Sequence, residues 1–443
     1  MASKMRNPAI LRNIVKRNYA AEAAPKYIEN TVSSKTSVLP NKIVVASSAP
    51  DSLISEVSIS FKAGSRYETG EFKGITHVLR SVFGLGCEDI TNFGLTRNVQ
   101  QHGLNLYATT DREVISYTVQ GNKDNIEHGF KYLISAVTKQ SFKPWEISDN
   151  NERLKYDLVT IPAEARAIDL AHQAAYQYGL GNSLYIDRER IGIHGPETLQ
   201  HYVKSNFTSS RASITGIGVN HEILVELANA LSFESGSAPA SSKPIFYGGD
   251  ERFATKDNNV YVAVVAEGTG LNAKEAYAFA ALQYALGAGP QVKYGVGVSP
   301  LSKAVSSLRE PVGIAALNIS YSDSGLFGVL FATSGQQSAD VAKIAAKALK
   351  SGNVSAEDAK RGIAQLHAAL AFEAEKKPLI SDDLRSQATS LGAVQDFGSV
   401  VKAISSLSPT DVQSAAKKVA TGNLALGAVG NVNHIPYVDL LVK

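Results

Sequence analysis

Three neighbouring side chains, His77, Arg80 and Ser81, lie in a segment whose pattern predicts a helix beginning near Gly74. Residues three and four positions apart share one helix face, and hydrolysis by bound zinc needs three protein ligands, an open position for water and a general base. His77 can ligate zinc, but Arg80 keeps its proton and cannot act as a base. A cation about 4 Å from a divalent metal costs roughly 8 kcal/mol at an effective dielectric constant near 20. The sequence therefore predicts no catalytic residue, no metal ligand set and no bound cofactor.

The other candidate groups have simpler interpretations. Cys87 is the only cysteine of the 443 residues, which excludes an internal disulfide and a thiolate metal cluster and favours a buried side chain. The glycine-rich stretch 287–297 follows a predicted helix and lacks the Gly-Lys-Ser/Thr of a phosphate loop. We interpret its beginning as a helix end and a turn. Three histidines beside polar segments are interpreted as surface or capping residues: His102, His201 and His221.

The first 19 residues are basic and amphipathic, with five cations and no acid. This pattern is typical of a mitochondrial targeting peptide, and the sequence from Arg17 to Ala20 resembles a matrix-protease cleavage site. The alternative is a basic surface helix of the mature protein. Cleavage before Ala20 would change the net charge from +3 to −2, so the pI of 8.6 indicates no nucleic-acid partner. No stretch contains the roughly 20 apolar residues of a membrane span, so we expect membrane attachment through partners.

The chain length predicts two domains, because 443 residues exceed what one hydrophobic core holds. Residues 233–246 are rich in small and polar side chains, which predicts a linker between domains 36–232 and 247–443. Alternating apolar and polar side chains over residues 57–62 predict a strand with one buried face. An internal repeat supports the division, since three features recur later in the chain at one constant offset. The pairs are Pro196 and Pro409, Lys204 and Lys417, and Val-Asn-His at 219–221 and 432–434.

The repeat also predicts the fold class. Each copy has the pattern of a capped helix followed by a strand of small and β-branched residues. We therefore expect an α+β fold of two homologous domains of about 210 residues, each a mainly antiparallel sheet with helices packed on one face.

Residues 74–81 resemble the H-x-x-E-H helix of the inverted zinc peptidases. This family includes pitrilysin, the mitochondrial processing peptidase subunits and the core subunits of ubiquinol–cytochrome c reductase. His77 matches the first ligand, whereas Arg80 and Ser81 replace the base and the second ligand. The family's third ligand is a glutamate on a later helix, which the resemblance places within 153–160, at Leu158 or Val159 and close to Asp157. The strings that are similar to the core-subunit branch are 61–68, 76–80, 286–290 with 292–293, and 320–328.

The resemblance implies a noncatalytic core subunit, peripheral on the matrix side of the mitochondrial inner membrane. Its expected role is the assembly and stability of the dimeric respiratory complex. The implied partners are a core 1 subunit, cytochrome b, cytochrome c1, and the iron–sulfur subunit with its cleaved presequence. No nucleic-acid partner is implied, and the redox cofactors belong to other subunits. The alternative is a noncatalytic, substrate-gripping subunit of a mitochondrial processing peptidase, in which the stretch 287–297 would contact the substrate.

Overall fold

The structure is a computed structural model that describes residues 34–48, 53–234, 236, 243–289 and 297–441. The predicted targeting peptide and part of the predicted linker lie outside these residues, so the proposed domain boundaries stay predictions. Within the described residues, no helix combines the length and the apolar character that crossing a membrane requires.

The first half contains one six-stranded sheet. Its strands are Ser34–Val38 (β1), Val44–Ser48 (β2), Ile54–Phe61 (β3), Asn105–Thr110 (β4), Ile115–Asn122 (β5) and Ala212–Ile217 (β6). Its helices are Ile75–Val82 (α1), Asn92–Gln101 (α2), Ile126–Thr138 (α3), Pro144–Thr160 (α4), Ala163–Tyr176 (α5), Pro196–Asn206 (α6) and His221–Ala230 (α7). The strand order is β1-β2-β6-β3-β5-β4, in which β2 and β6 are parallel and all other neighbours are antiparallel.

The second half contains a five-stranded sheet. Its strands are Gly249–Ala254 (β7), Asn259–Glu267 (β8), Gly313–Ser320 (β9), Gly325–Ser334 (β10) and Leu424–Gly430 (β11). Its helices are Ala276–Leu286 (α8), Pro300–Val305 (α9), Ser338–Ser351 (α10), Ala356–Glu373 (α11), Lys377–Leu391 (α12), Phe397–Ser405 (α13), Pro409–Thr421 (α14) and Val438–Leu441 (α15). The strand order is β7-β11-β8-β10-β9, with β7 and β11 as the parallel pair.

The two sheets share one topology, which confirms the expected α+β fold of two similar halves. Strands β2-β6-β3-β5-β4 correspond in order and direction to β7-β11-β8-β10-β9. The repeated prolines begin α6 and α14, each of which leads into the strand that pairs in parallel. In each half, a large apolar core lies between the sheet and that half's own helices.

Each sheet also carries one helix from the other half on its second face. Helix α12 packs on β2 and β6 through a small apolar cluster that contains Ala46, Ile217, Leu384 and Ala388. Reciprocally, α5 packs on β8 and β11 through alanines and Tyr176. The expectation that β3 has one buried face is therefore wrong, because seven of its eight residues are buried and α12 covers the face that was expected to meet solvent.

Candidate functional site

A buried carboxylate fixes the start of α1, the helix that carries the candidate metal ligand. The Glu68 side chain accepts hydrogen bonds from the Gly74 and Thr76 amides at 2.8 and 2.9 Å, and from the Thr76 hydroxyl at 2.6 Å. These amides are among the free N–H groups of a helix N-terminus. Burial raises the pKa of Glu68 to about 7, against the opposing effect of these hydrogen bonds. Gly74 has a φ of +83°, which turns the chain sharply into the helix.

His77 is fully buried and neutral. Its Nδ1 accepts a hydrogen bond from the Ile186 amide at 3.2 Å, so the ring proton resides on Nε2. Burial and the neighbouring Arg80 cation lower the His77 pKa to about 3. Its Nε2 lies 3.8 Å from Asp157 Oδ2, too far for a hydrogen bond, and has no hydrogen-bond partner among the described residues.

Helix α4 supplies the groups that face α1. Asn150, Leu154 and Asp157 follow one another at spacings of four and three, so they share the face that meets α1. Asn150 Nδ2 donates a hydrogen bond to Ser81 Oγ at 2.8 Å. The Asp157 carboxylate approaches His77, whereas Val159 is 83% exposed. The assignment of the third ligand position to Leu158 or Val159 stays a prediction.

The residues present do not fit a catalytic zinc ion. A catalytic site has three protein ligands, an open position for water and a base, whereas only His77 and Asp157 offer a nitrogen and a carboxylate donor here. The Ser81 hydroxyl is engaged with Asn150, and Arg80 places a permanent cation beside His77. Across the part of the chain that the structure describes, no group of three His, Cys, Asp or Glu side chains could hold a metal ion.

The position of Asp157 leads to a metal-binding prediction. The double variant Arg80→Glu with Ser81→His should bind about one zinc ion per chain, because two histidines and Asp157 would then provide three ligands. The unmodified protein and the Arg80→Glu variant should retain none after dialysis, as measured by atomic-emission spectrometry. Stoichiometric zinc in the unmodified protein would contradict this description of His77, Arg80 and Ser81.

The other candidates from the sequence lie apart from this site. His221 joins Ser37 and Ser47 through its two ring nitrogens, at 2.7 and 2.9 Å. The ring of His102 stacks on that of His128, with 4.9 Å between the ring centroids. His201 stacks on Phe72. Each of these histidines thus has a local structural partner.

Cys87 and the glycine-rich stretch follow the simpler interpretations as far as the structure describes them. Cys87 is buried, as predicted, and burial raises the pKa of its thiol to about 11. Gly287 ends α8, as expected for a helix end. Residues 290–296 of the stretch lie outside the described residues.

A polar cluster that the sequence did not reveal joins the two halves. The Arg66 guanidinium donates two hydrogen bonds to the Asp323 carboxylate, at 2.7 and 2.6 Å, and one to Glu113 at 2.7 Å. Glu113 also accepts hydrogen bonds from the amide and the hydroxyl of Ser322, at 2.9 and 2.6 Å. Arg66 and Asp323 belong to two of the strings that carry the family resemblance, and their contact gives both strings a structural role. Arg66 and Asp323 are 257 positions apart, so the sequence alone does not indicate that their charges meet.

Two family profiles and two mitochondrial relatives match this chain. The profile of "Insulinase (Peptidase family M16)" matches residues 43–188, and that of "Peptidase M16 inactive domain" matches residues 195–366. The mitochondrial cytochrome b-c1 complex subunit 2 of Rattus norvegicus is 35% identical, with 91% of each chain covered. The probable mitochondrial-processing peptidase subunit alpha-1 of Arabidopsis thaliana is 26% identical, over 91% of this chain and 83% of its own length.

A solved structure has the same fold. A chain in "Complex III2 from Candida albicans, Inz-5 bound" superimposes with a TM-score of 0.79 at 19% identity, over 92% of this chain and 98% of that one. Together, the two family profiles cover more than half of the residues, and the similarity to the relative from rat extends along nearly the whole of both chains. The chain therefore belongs to peptidase family M16.

Proposed function

We propose that this chain is a noncatalytic subunit of the mitochondrial cytochrome b-c1 complex, ubiquinol–cytochrome c reductase, and contributes to its assembly and stability. The observation that carries the proposal is a complete two-half peptidase fold in which Arg80 replaces the base and Ser81 the second ligand. A peptidase fold that has lost its catalytic residues still has the surfaces through which it can contact other subunits. The 35% identity with a cytochrome b-c1 complex subunit 2 along nearly the whole of both chains supports the same assignment.

The proposal includes the location and the partners. The subunit would lie on the matrix side of the inner membrane as a peripheral component of a dimeric complex. It would contact a core 1 subunit, cytochrome b, cytochrome c1, and the iron–sulfur subunit with its presequence. The redox cofactors would be held by those other subunits, as the family resemblance implies.

Exposed apolar side chains on α4 support a role in assembly. Trp145, Tyr156 and Val159 are 63, 68 and 83% exposed. Tyr156 and Val159 are neighbours on one side of the helix, whereas the exposed Asp149 and Glu152 separate them from Trp145. Neighbouring exposed apolar side chains are typical of protein–protein contacts. Trp and Tyr are also enriched at such contacts.

The second candidate function is a noncatalytic, substrate-gripping subunit of a mitochondrial processing peptidase. The observation that favours it is the 26% identity with a probable processing-peptidase subunit alpha over 91% of this chain. The identity with the cytochrome b-c1 complex subunit is higher, so we place this function second.

The assembly state of the protein distinguishes the two functions. Mitochondrial membranes are solubilised in mild detergent and their complexes separated under native conditions, and the chain is located by antibody. We expect the chain to migrate with a band that contains haem. Migration as a soluble heterodimer of about twice the mass of one chain, with presequence-cleaving activity and no haem, would support the second function and exclude the first.

A further inference from the structure

An apolar groove of about 510 Å³ is lined mainly by residues of the second half. It lies among α8, α11, α12 and α13, and its main apolar residues are Leu366, Leu370, Ile380, Leu384, Phe397 and Val400. A volume of this size is in the range of sites that hold a ligand or several side chains.

The groove contains two carboxylates and no cation among its described lining residues. Burial raises the pKa of both Glu373 and Asp383. The Asp383 carboxylate accepts hydrogen bonds from Gln387, a neutral side chain, at 2.9 Å. An occupant that combines apolar side chains with one cation would therefore match the groove in both polarity and charge.

The chain itself places a suitable segment at the groove. Ser34, the first described residue, lines the groove and pairs with Ser48 in the first sheet. Residues 21–33 come directly before it and contain Lys26, Tyr27 and Ile28 in succession, with Glu22 and Glu29 on either side, so only Lys26 can meet the groove's carboxylates favourably. The six residue steps from Ile28 to Ser34 span at most about 20 Å. A tether of this length supplies a local concentration on the order of millimolar, so modest contacts suffice for binding.

We propose that residues 21–33 of this chain bind in the groove, with Tyr27 and Ile28 against its leucines and Lys26 near Glu373. The segment remains on the chain after cleavage before Ala20, so the mature subunit would carry its own occupant. It would cover an apolar surface and connect the N-terminus to the second half of the molecule.

Disulfide trapping in the assembled protein tests the proposal. Cysteines are introduced as Ile28→Cys with Leu370→Cys, and the rate of disulfide formation under mild oxidation is followed by mass spectrometry. Cys87 contributes little background because it is buried. The matched control is Ile28→Cys with Asn105→Cys, since Asn105 is exposed on β4. That strand is the opposite edge of the first sheet from β1, about 24 Å away.

We expect the groove pair to form its disulfide at least tenfold faster than the control pair. Lys26→Glu should slow the groove pair about threefold, and Glu373→Lys added to it should restore the rate, as for an exposed ion pair. Equal rates for the two pairs would overturn the proposal. Capture of the cysteine at position 370 by another subunit or by a second copy of the chain would also overturn it. Thermal unfolding of each variant confirms that the protein is folded.

Discussion

Replacing Gly427 with alanine is expected to destabilise the protein by about 3 kcal/mol, because a single methyl group would push α5 away from the second sheet. Gly427 lies in β11, beneath α5. A Cβ atom at this position would lie 2.3 Å from the Ala167 carbonyl oxygen and 2.3 Å from the Ala171 amide nitrogen. Both are main-chain atoms in the middle of a helix, so no side-chain rotation relieves the overlap. The helix must move, and it then loses its close packing on the sheet.

The prediction is tested by thermal unfolding of the purified chain and by its rate of cleavage with trypsin. The matched control is Gly422→Ala, because a Cβ there would meet its nearest atom at 3.6 Å, an ordinary contact, and its φ of −71° suits any residue. We expect a lower unfolding temperature and faster cleavage for Gly427→Ala only. Similar unfolding temperatures for both variants would contradict the close approach of α5 to β11.

The general architecture could be predicted from the sequence because it depends on local patterns. The internal repeat predicted two similar halves, and the proline that begins α6 recurs at the start of α14. The exchange of α5 and α12 between the halves could not be predicted in this way. A helix with apolar residues on one side has the same pattern whichever sheet it packs on. Strand β3 was mispredicted for this reason, since Ser58 faces Arg385 of α12 and not solvent.

The candidate site was predictable where it depends on spacing within one helix. His77, Arg80 and Ser81 lie within five residues on α1, so their relation does not depend on the rest of the fold. The partner on α4 depends on the register between two helices, and a shift of one or two residues turns a helix by roughly 100 to 200 degrees. The sequence placed Leu158 or Val159 at the third ligand position, close to Asp157, and that assignment stays a prediction. The structure places the Asp157 carboxylate 3.8 Å from His77 Nε2.

Replacing Asp169 with asparagine is expected to cost about 3–5 kcal/mol, because the change leaves a buried guanidinium without its counter-charge. Arg112 and Asp169 are 3 and 4% exposed, and Arg112 Nη2 lies 2.5 Å from Asp169 Oδ1. The carboxylate also accepts hydrogen bonds from the Ser183 hydroxyl and the Leu184 amide, at 2.7 and 3.1 Å. An asparagine amide would turn one acceptor into a donor in this arrangement. Since Asp169 lies on α5, the pair connects the loop between β4 and β5 to the helix that packs on the second sheet.

A double-mutant cycle separates the loss of the ion pair from the burial of an unpaired charge. The double variant Arg112→Met with Asp169→Leu removes both charges and should recover part of the stability that Asp169→Asn loses, because no charge is left unpaired. The recovery is partial because the Ser183 hydroxyl and the Leu184 amide lose their acceptor. The measurement is the unfolding temperature of each variant. If a variant unfolds in two steps, its two halves unfold separately. This outcome is informative because α5 belongs to the first half and packs on the sheet of the second. A double variant as unstable as the sum of its single variants would contradict the coupling, because residues in direct contact should not act independently.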